Sequence, residues 1–296
     1  MSLKKEEIEI LEWFSPINHE HQHLEYSERR VPGTCTWLLE SSLYHDWRNT
    51  TSKSQRLLFA GLPGAGKTIA TSMVIDDLTT LCSSDNKIGL AYIYYSYGGE
   101  QSPEDLLANI LKQLAWRQSS LPERLVSLHR QHDTKGTKPS LDELSRCIEE
   151  TIETFTRTFL VIDALDEYEN CSEISNEVLP RIYKLQRERH LNTLISARPI
   201  PEIANKIIGP TLTIIAADSD IQKYLSDCIS QSDESVLHEN REEIITSIAE
   251  SACGKCVIIF VVNWIAQPGL ISKIVFAVHR LISARRYELT HTYSNM

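Results

Sequence analysis

The sequence predicts an α/β protein built on a mostly parallel sheet, and three observations carry that prediction. Short runs of branched and aromatic residues alternate with longer segments of helical period. One of these runs leads directly into a glycine-rich loop and then a helical stretch. Two others run out into charged residues, as strands do at the carboxyl end of a parallel sheet, where ligands lie.

The strand candidates, in chain order, are Arg56–Ala60, Ile88–Tyr95, Thr158–Asp163, Leu191–Ser196 and Thr211–Ile215. Between them, Ile69–Leu81 has helical character, and two later helices announce their starts. Ser102, Pro103, Glu104 and Asp105 place a capping hydroxyl, a first-turn proline and acidic residues where a helix N-terminus favours them. Ser140 and Glu143 form a capping box, followed by Leu141, Leu144, Ile148, Ile152 and Phe155 on roughly one helical stripe. Beyond Ile215 no further strand is expected, and Asp218–Ser230 and Arg241–Ala252 read as helices of a small C-terminal α-helical lobe. The expected organisation is an N-terminal helical segment over 1–50, a sheet domain over 51–216, a helical lobe over 217–266 and a divergent basic tail over 267–296.

Composition narrows the function classes. The chain has 296 residues, 42% apolar and 24% charged, enough for a core of ordinary size. A net charge of −10 provides no global basic field, and no local basic patch stands out in the first 250 residues, so neither a nucleic-acid nor a membrane partner is expected. The N-terminus has no apolar stretch of signal-peptide length, and the seven cysteines are odd in number and scattered, so a cytoplasmic address with reduced thiols is expected. The apolar run from Cys256 to Ala266 contains Asn263 and is too short for a span of ~20 residues, which makes a buried helix or strand the simpler reading.

The chemistry concentrates in three places. Gly61, Leu62, Pro63, Gly64, Ala65, Gly66, Lys67 and Thr68 satisfy the phosphate-loop pattern G-x-x-x-x-G-K-[ST], between an apolar strand and a helix that opens with Ile69. Glycines let the backbone turn its amides toward phosphates, the helix adds its positive end, Lys67 reaches the β- and γ-phosphates, and Thr68 offers a hydroxyl to Mg2+. The second place is the strand Thr158–Asp163, which ends in an acid and is followed by Asp166 and Glu167. Asp163 suits the Mg2+ shell, and either Asp166 or Glu167 would orient or deprotonate the attacking water. The third is Ser196, Ala197, Arg198 and Pro199, where the arginine at a strand end can reach the γ-phosphate with its planar fork.

This ordered set resembles the NACHT branch of the STAND class of P-loop NTPases, and more narrowly the NACHT domains of fungal NOD-like receptor proteins. The resemblance covers roughly residues 8–265 and includes Trp13, Arg30, Thr34, Trp37, Trp47 and the stretch Asp220–Tyr224. It implies five parallel strands in the order 5-1-4-3-2, with ATP or GTP and Mg2+ as cofactors. It also implies a switch with slow hydrolysis, in which the triphosphate state favours self-association or protein partners. Members of that family carry an effector domain and a repeat array, for which this length leaves no room, so a nucleotide-binding core is expected. A P-loop kinase or fast ATPase is the alternative; it needs a substrate pocket or a cluster of lid arginines, and neither is evident. A nucleotide-binding scaffold without signalling output is a third reading.

Other features carry less. Cys253 and Cys256 have the spacing of a metal or redox pair but lack a second pair. His19, His21 and His23 alternate within a polar stretch and are expected in a solvated loop. Tyr92, Tyr94, Tyr95 and Tyr97 fit a half-buried strand.

Overall fold

Five apolar runs become five parallel strands: β1 (Arg56–Ala60), β2 (Ile88–Tyr94), β3 (Arg157–Asp163), β4 (Leu191–Ala197) and β5 (Thr211–Thr213). Their order across the sheet is β2-β3-β4-β1-β5, which is the predicted 5-1-4-3-2 order seen from the other edge. The edge strand β5 leaves Thr211 and Thr213 exposed, but every residue of β4 is buried, and so is all of β3 after Arg157, because helices cover both faces of the sheet there. That explains why these strands are near-continuous apolar runs without alternation. The register aligns Tyr94 with Asp163 and Ala60 with Ala197, so the three central strands and β2 finish close together at one edge.

The computed structural model describes residues 3–50, 55–95, 101–168, 173–200, 206–231 and 235–252. The chain divides into two compact units. One comprises Met1–Arg29, Trp37–Gly61 and Lys67–Thr213, and the other Arg30–Thr36, Leu62–Gly66 and Ile214–Met296.

In the first unit the chain opens with helices α1 (Lys5–Phe14), α2 (His19–Glu28), α3 (Thr36–Glu40) and α4 (Ser42–Asn49). The last of these is anchored by Trp47, which is fully buried, donates its Nε1 to Thr193 O at 3.0 Å and packs its ring on Phe159. Helix α5 (Lys67–Ser84) follows the glycine loop and is longer at both ends than its apolar run suggests. Helices α6 (Pro103–Trp116), α7 (Glu123–Asp133), α8 (Leu141–Glu153) and α9 (Leu179–Glu188) complete this unit. Both predicted capping boxes form, at Ser102 with Asp105 and at Ser140 with Glu143. Leu11, Leu111, Leu144 and Ile148 join β2 and β3 residues in one apolar core.

One expectation fails here. Residues His19, His21 and His23 do not lie in a solvated loop: they form the first turns of α2, whose N-cap Asn18 accepts from Glu20 N at 2.9 Å. Helical spacing places His19 and His23 one turn apart, and both are buried. His23 Nδ1 meets Tyr94 Oη at 3.0 Å and its Nε2 meets Asp76 Oδ1 at 2.9 Å, so the polar composition of the stretch hid a helix whose inner face carries buried histidines. Burial holds His19 below the ordinary histidine range, partly offset by its bond to Gln22. Tyr94 and Tyr95 are buried and Tyr92 is partly so, as a strand reading requires.

The second unit contains α10 (Asp218–Ser230), α11 (Ser235–Glu239) and α12 (Arg241–Ala252), packed through Ile221, Leu225, Ile229, Leu237, Ile244 and Ile248. Lys223 Nζ donates to Gly33 O at 2.7 Å, tying α10 to the short N-terminal piece of the same unit. The expectations for Tyr97, Cys171, Cys253, Cys256, the apolar run to Ala266 and the basic tail fall outside the described residues. Among the described residues no helix is long and apolar enough to cross a membrane.

Candidate functional site

Strand β3 delivers Asp163 to the edge where the central strands end, and there the carboxylate is almost completely buried. A buried carboxylate is costly unless hydrogen bonds satisfy it. Three hydroxyls do so: Thr68 donates to Oδ2 at 2.7 Å, Thr71 donates to Oδ1 at 2.9 Å, and Ser196 donates to Oδ1. Burial nevertheless dominates and pushes the Asp163 carboxyl above its usual range, with these hydroxyls and the Lys67 charge pulling the other way. Hydroxyl and carboxylate oxygens form the hard donor set that Mg2+ takes, so the residues present fit that ion.

Immediately after Asp163 the backbone reverses. Ala164 sits at φ 54°, in the left-handed region, and its N–H donates to Ser196 Oγ at 2.9 Å. Ser196 therefore holds both the carboxylate and the turn that follows it. The turn starts a single 3-10 turn, Leu165–Glu167, which separates the two candidate acids. Asp166 faces Arg198: its Oδ1 accepts from the Arg198 backbone N–H at 2.9 Å, and its Oδ2 accepts from Arg198 Nε. Glu167 is exposed, and its carboxyl is pushed up by desolvation and by the Asp166 and Asp163 charges, while Lys67 and Arg198 pull it down.

At the other side of the strand edge, Lys67 opens α5 and donates its Nζ to Gly61 O at 2.9 Å. The intervening loop needs glycine twice: Gly64 has φ 74° and Gly66 has φ 88°. At Gly66 a Cβ would meet nothing within 4 Å, so the requirement there is conformational rather than steric. Within the loop Ala65 N donates to Leu62 O at 3.1 Å, Leu62 and Pro63 are exposed, and Ile69 is half-buried on the first turn of α5.

Of the residues expected from sequence, Thr68, Asp163, Asp166, Glu167, Lys67 and Arg198 thus share direct bonds or electrostatic influence at one edge of the sheet. The expectation that left Asp166 and Glu167 interchangeable meets two different environments, because only Asp166 is engaged with the arginine. Two contributors went unrecognised. Thr71 lies one helical turn after Thr68, and that spacing was a usable signal; Ser196 was visible only as a hydroxyl ending a buried strand. Among the described residues no group of three or more His, Cys, Asp or Glu side chains could hold a metal by itself.

The family model described as nephrocystin 3, N-terminal, matches residues 33–198, more than half of the chain. The chain belongs to the nephrocystin 3 N-terminal family. The match covers the glycine loop, the acids after β3 and Arg198, and it names the nephrocystin 3 N-terminal family rather than NACHT. No curated protein matches the chain. Among solved structures, a DNA replication initiation factor is similar at 12% identity, with 88% of this chain and 68% of that one covered and a TM-score of 0.46. A Walker-type ATPase of Pyrococcus abyssi is similar at 13% identity over 93% of this chain and 75% of its own, with a TM-score of 0.46. The replication initiator DnaA, bound to AMPPCP and single-stranded DNA, is similar at 14% identity over 84% and 68%, with a TM-score of 0.45. The sheet order and the loop between β1 and α5 are those of a P-loop NTPase fold.

Proposed function

We propose that this nephrocystin 3 N-terminal family member is a nucleotide-operated switch of the NACHT type, which binds ATP or GTP with Mg2+ and hydrolyses it slowly. The observation that carries the reading is the 2.7 Å bond between Thr68 and Asp163, which joins the first turn after the glycine loop to the acid ending β3. In this reading Gly61 through Ile69 hold the phosphates, with Lys67 on the β- and γ-phosphates. Thr68 and Asp163 hold Mg2+, which supplies charge neutralisation on the phosphate oxygens. Glu167 is the group that orients or deprotonates the attacking water, since Asp166 is occupied by Arg198. A raised Glu167 carboxyl makes a better proton acceptor once ionised. Arg198 reports on the γ-phosphate. The partner favoured by the acidic chain is another protein, including a second copy, engaged in the triphosphate state. The boundaries near 50, 216 and 266 divide the chain functionally in the same proposal.

Calorimetry with ATP, ADP, GTP and GDP in the presence of Mg2+, followed by light scattering, tests this. Micromolar or tighter binding, with assembly on triphosphate alone, is the expected result. Absence of binding by any of the four nucleotides would remove the proposal, and binding without assembly would leave a nucleotide-binding scaffold.

A further inference from the structure

We propose that Asp166 is a positioning residue that holds Arg198 by its inner edge and presents the outer edge of the guanidinium to the terminal phosphate of a bound nucleotide. This rests on the nucleotide-switch reading above. Asp166 and Arg198 follow the adjacent strands β3 and β4, so their pairing closes the gap between two strand ends. The contact is unusual for a salt bridge because one carboxylate takes two donors of the same arginine, the main-chain N–H and Nε. Pinning the backbone and the start of the guanidinium together restricts the rotations between them. An ordinary fork-to-fork pair would instead use up the terminal nitrogens.

Exposure supports the division of roles. The Asp166 side chain is 2% exposed, whereas Arg198 remains 42% exposed. Neither Nη group of Arg198 has a hydrogen-bond partner among the described residues. A guanidinium carries five N–H donors, and Asp166 takes only the one on Nε, which leaves a planar pair of nitrogens suited to phosphate oxygens. Glu167 feels both the Arg198 and the Lys67 charges, so both cations act on the same acid. The ligand chemistry is a tetrahedral anion that differs between di- and triphosphate. Lysine would not substitute, because its ammonium is a point charge whose remaining donors diverge and cannot form the planar two-nitrogen grip on phosphate oxygens.

The test is the ratio of ATP to ADP affinity, measured by calorimetry with Mg2+ on the full chain, with a thermal melt confirming that each variant is folded. Arg198→Ala should lower ATP affinity by ~10-fold or more and leave ADP affinity nearly intact. Asp166→Ala should lower ATP affinity by about 2–10-fold, the cost of ordering one long side chain on binding, again sparing ADP. In the Arg198→Ala background, Asp166→Ala should change the ratio no further. Asp166→Asn keeps one acceptor oxygen but turns an amide NH2 toward the other Arg198 donor, so its ratio should fall between wild type and Asp166→Ala, and Arg198→Lys should lose most of the ratio although Asp166 is intact. Equal losses for ATP and ADP in Asp166→Ala would reduce the pair to a structural contact. Tighter ATP binding would show that Asp166 restrains Arg198 rather than presents it, and additive effects in the double variant would separate the two residues; each of these overturns the positioning role alone. A wild-type chain that binds neither nucleotide overturns the switch reading and the positioning role together.

Discussion

Ser196→Ala is the substitution whose cost follows most directly from the structure. The Ser196 hydroxyl accepts from Ala164 N at 2.9 Å and donates to Asp163, both in buried surroundings. Removing it takes one charge-assisted hydrogen bond from the carboxylate, about 1.5–3 kcal/mol, and leaves a buried N–H unsatisfied, about 1–3 kcal/mol. The two losses share one small side chain and partly relax together, so the expected total is ~3 kcal/mol. Ala164, already at φ 54°, would also lose the bond that holds its left-handed turn. Urea unfolding followed by circular dichroism reads this as a lower midpoint at unchanged slope for the transition of the sheet-containing unit. The control is Ser83→Ala: the exposed Ser83 hydroxyl donates only to Thr79 O within α5, and its loss should cost less than ~0.5 kcal/mol. A Ser196→Ala loss below ~1 kcal/mol, or one equal to the control, would refute the view that this hydroxyl secures the acid and its turn.

Lys67→Ala should abolish measurable triphosphate binding while leaving the unfolding midpoint close to wild type, since Lys67 is only partly buried; unchanged nucleotide affinity by calorimetry would end the phosphate-loop assignment. Glu167→Gln should keep ATP affinity and lower the rate of phosphate release by ~10²-fold or more, checked by single-turnover hydrolysis, and an unaltered rate would move the base elsewhere. The Ser140 backbone N–H and hydroxyl, with His132, draw the Glu143 carboxyl down from 4.5 to about 2. A carboxylate depressed in the folded state contributes stability that is whole above the unfolded value and lost as pH falls through the folded one. Wild type should therefore lose thermal stability between about pH 4.5 and 2 more steeply than Glu143→Gln, and parallel melting curves would contradict the cap.

Much of the fold was legible because its signals are local. Strands β1 to β4 were readable as apolar runs since helices bury both faces of the sheet there, and the capping boxes at Ser102 and Ser140 need only residues three apart. The left-handed backbone at Gly64 and Gly66 is likewise written in the loop itself. The histidine stretch misled because its composition is that of a loop; what makes it a helix is an inner face that meets Tyr94 and Asp76, more than fifty residues away in sequence.

The sequence by itself determined the glycine loop between β1 and α5, the acid that ends β3 and the alternation that fixes the fold class, since each depends on the order of neighbouring residues. Only the tertiary structure decided what distinguishes Asp166 from Glu167, and which hydroxyls satisfy Asp163. Thr71 lies 92 positions from Asp163, Ser196 lies 33, and Arg198 lies 32 from Asp166. Those pairings exist because the crossover connections bring the ends of adjacent parallel strands to one edge, where a buried carboxylate must find donors or remain uncompensated.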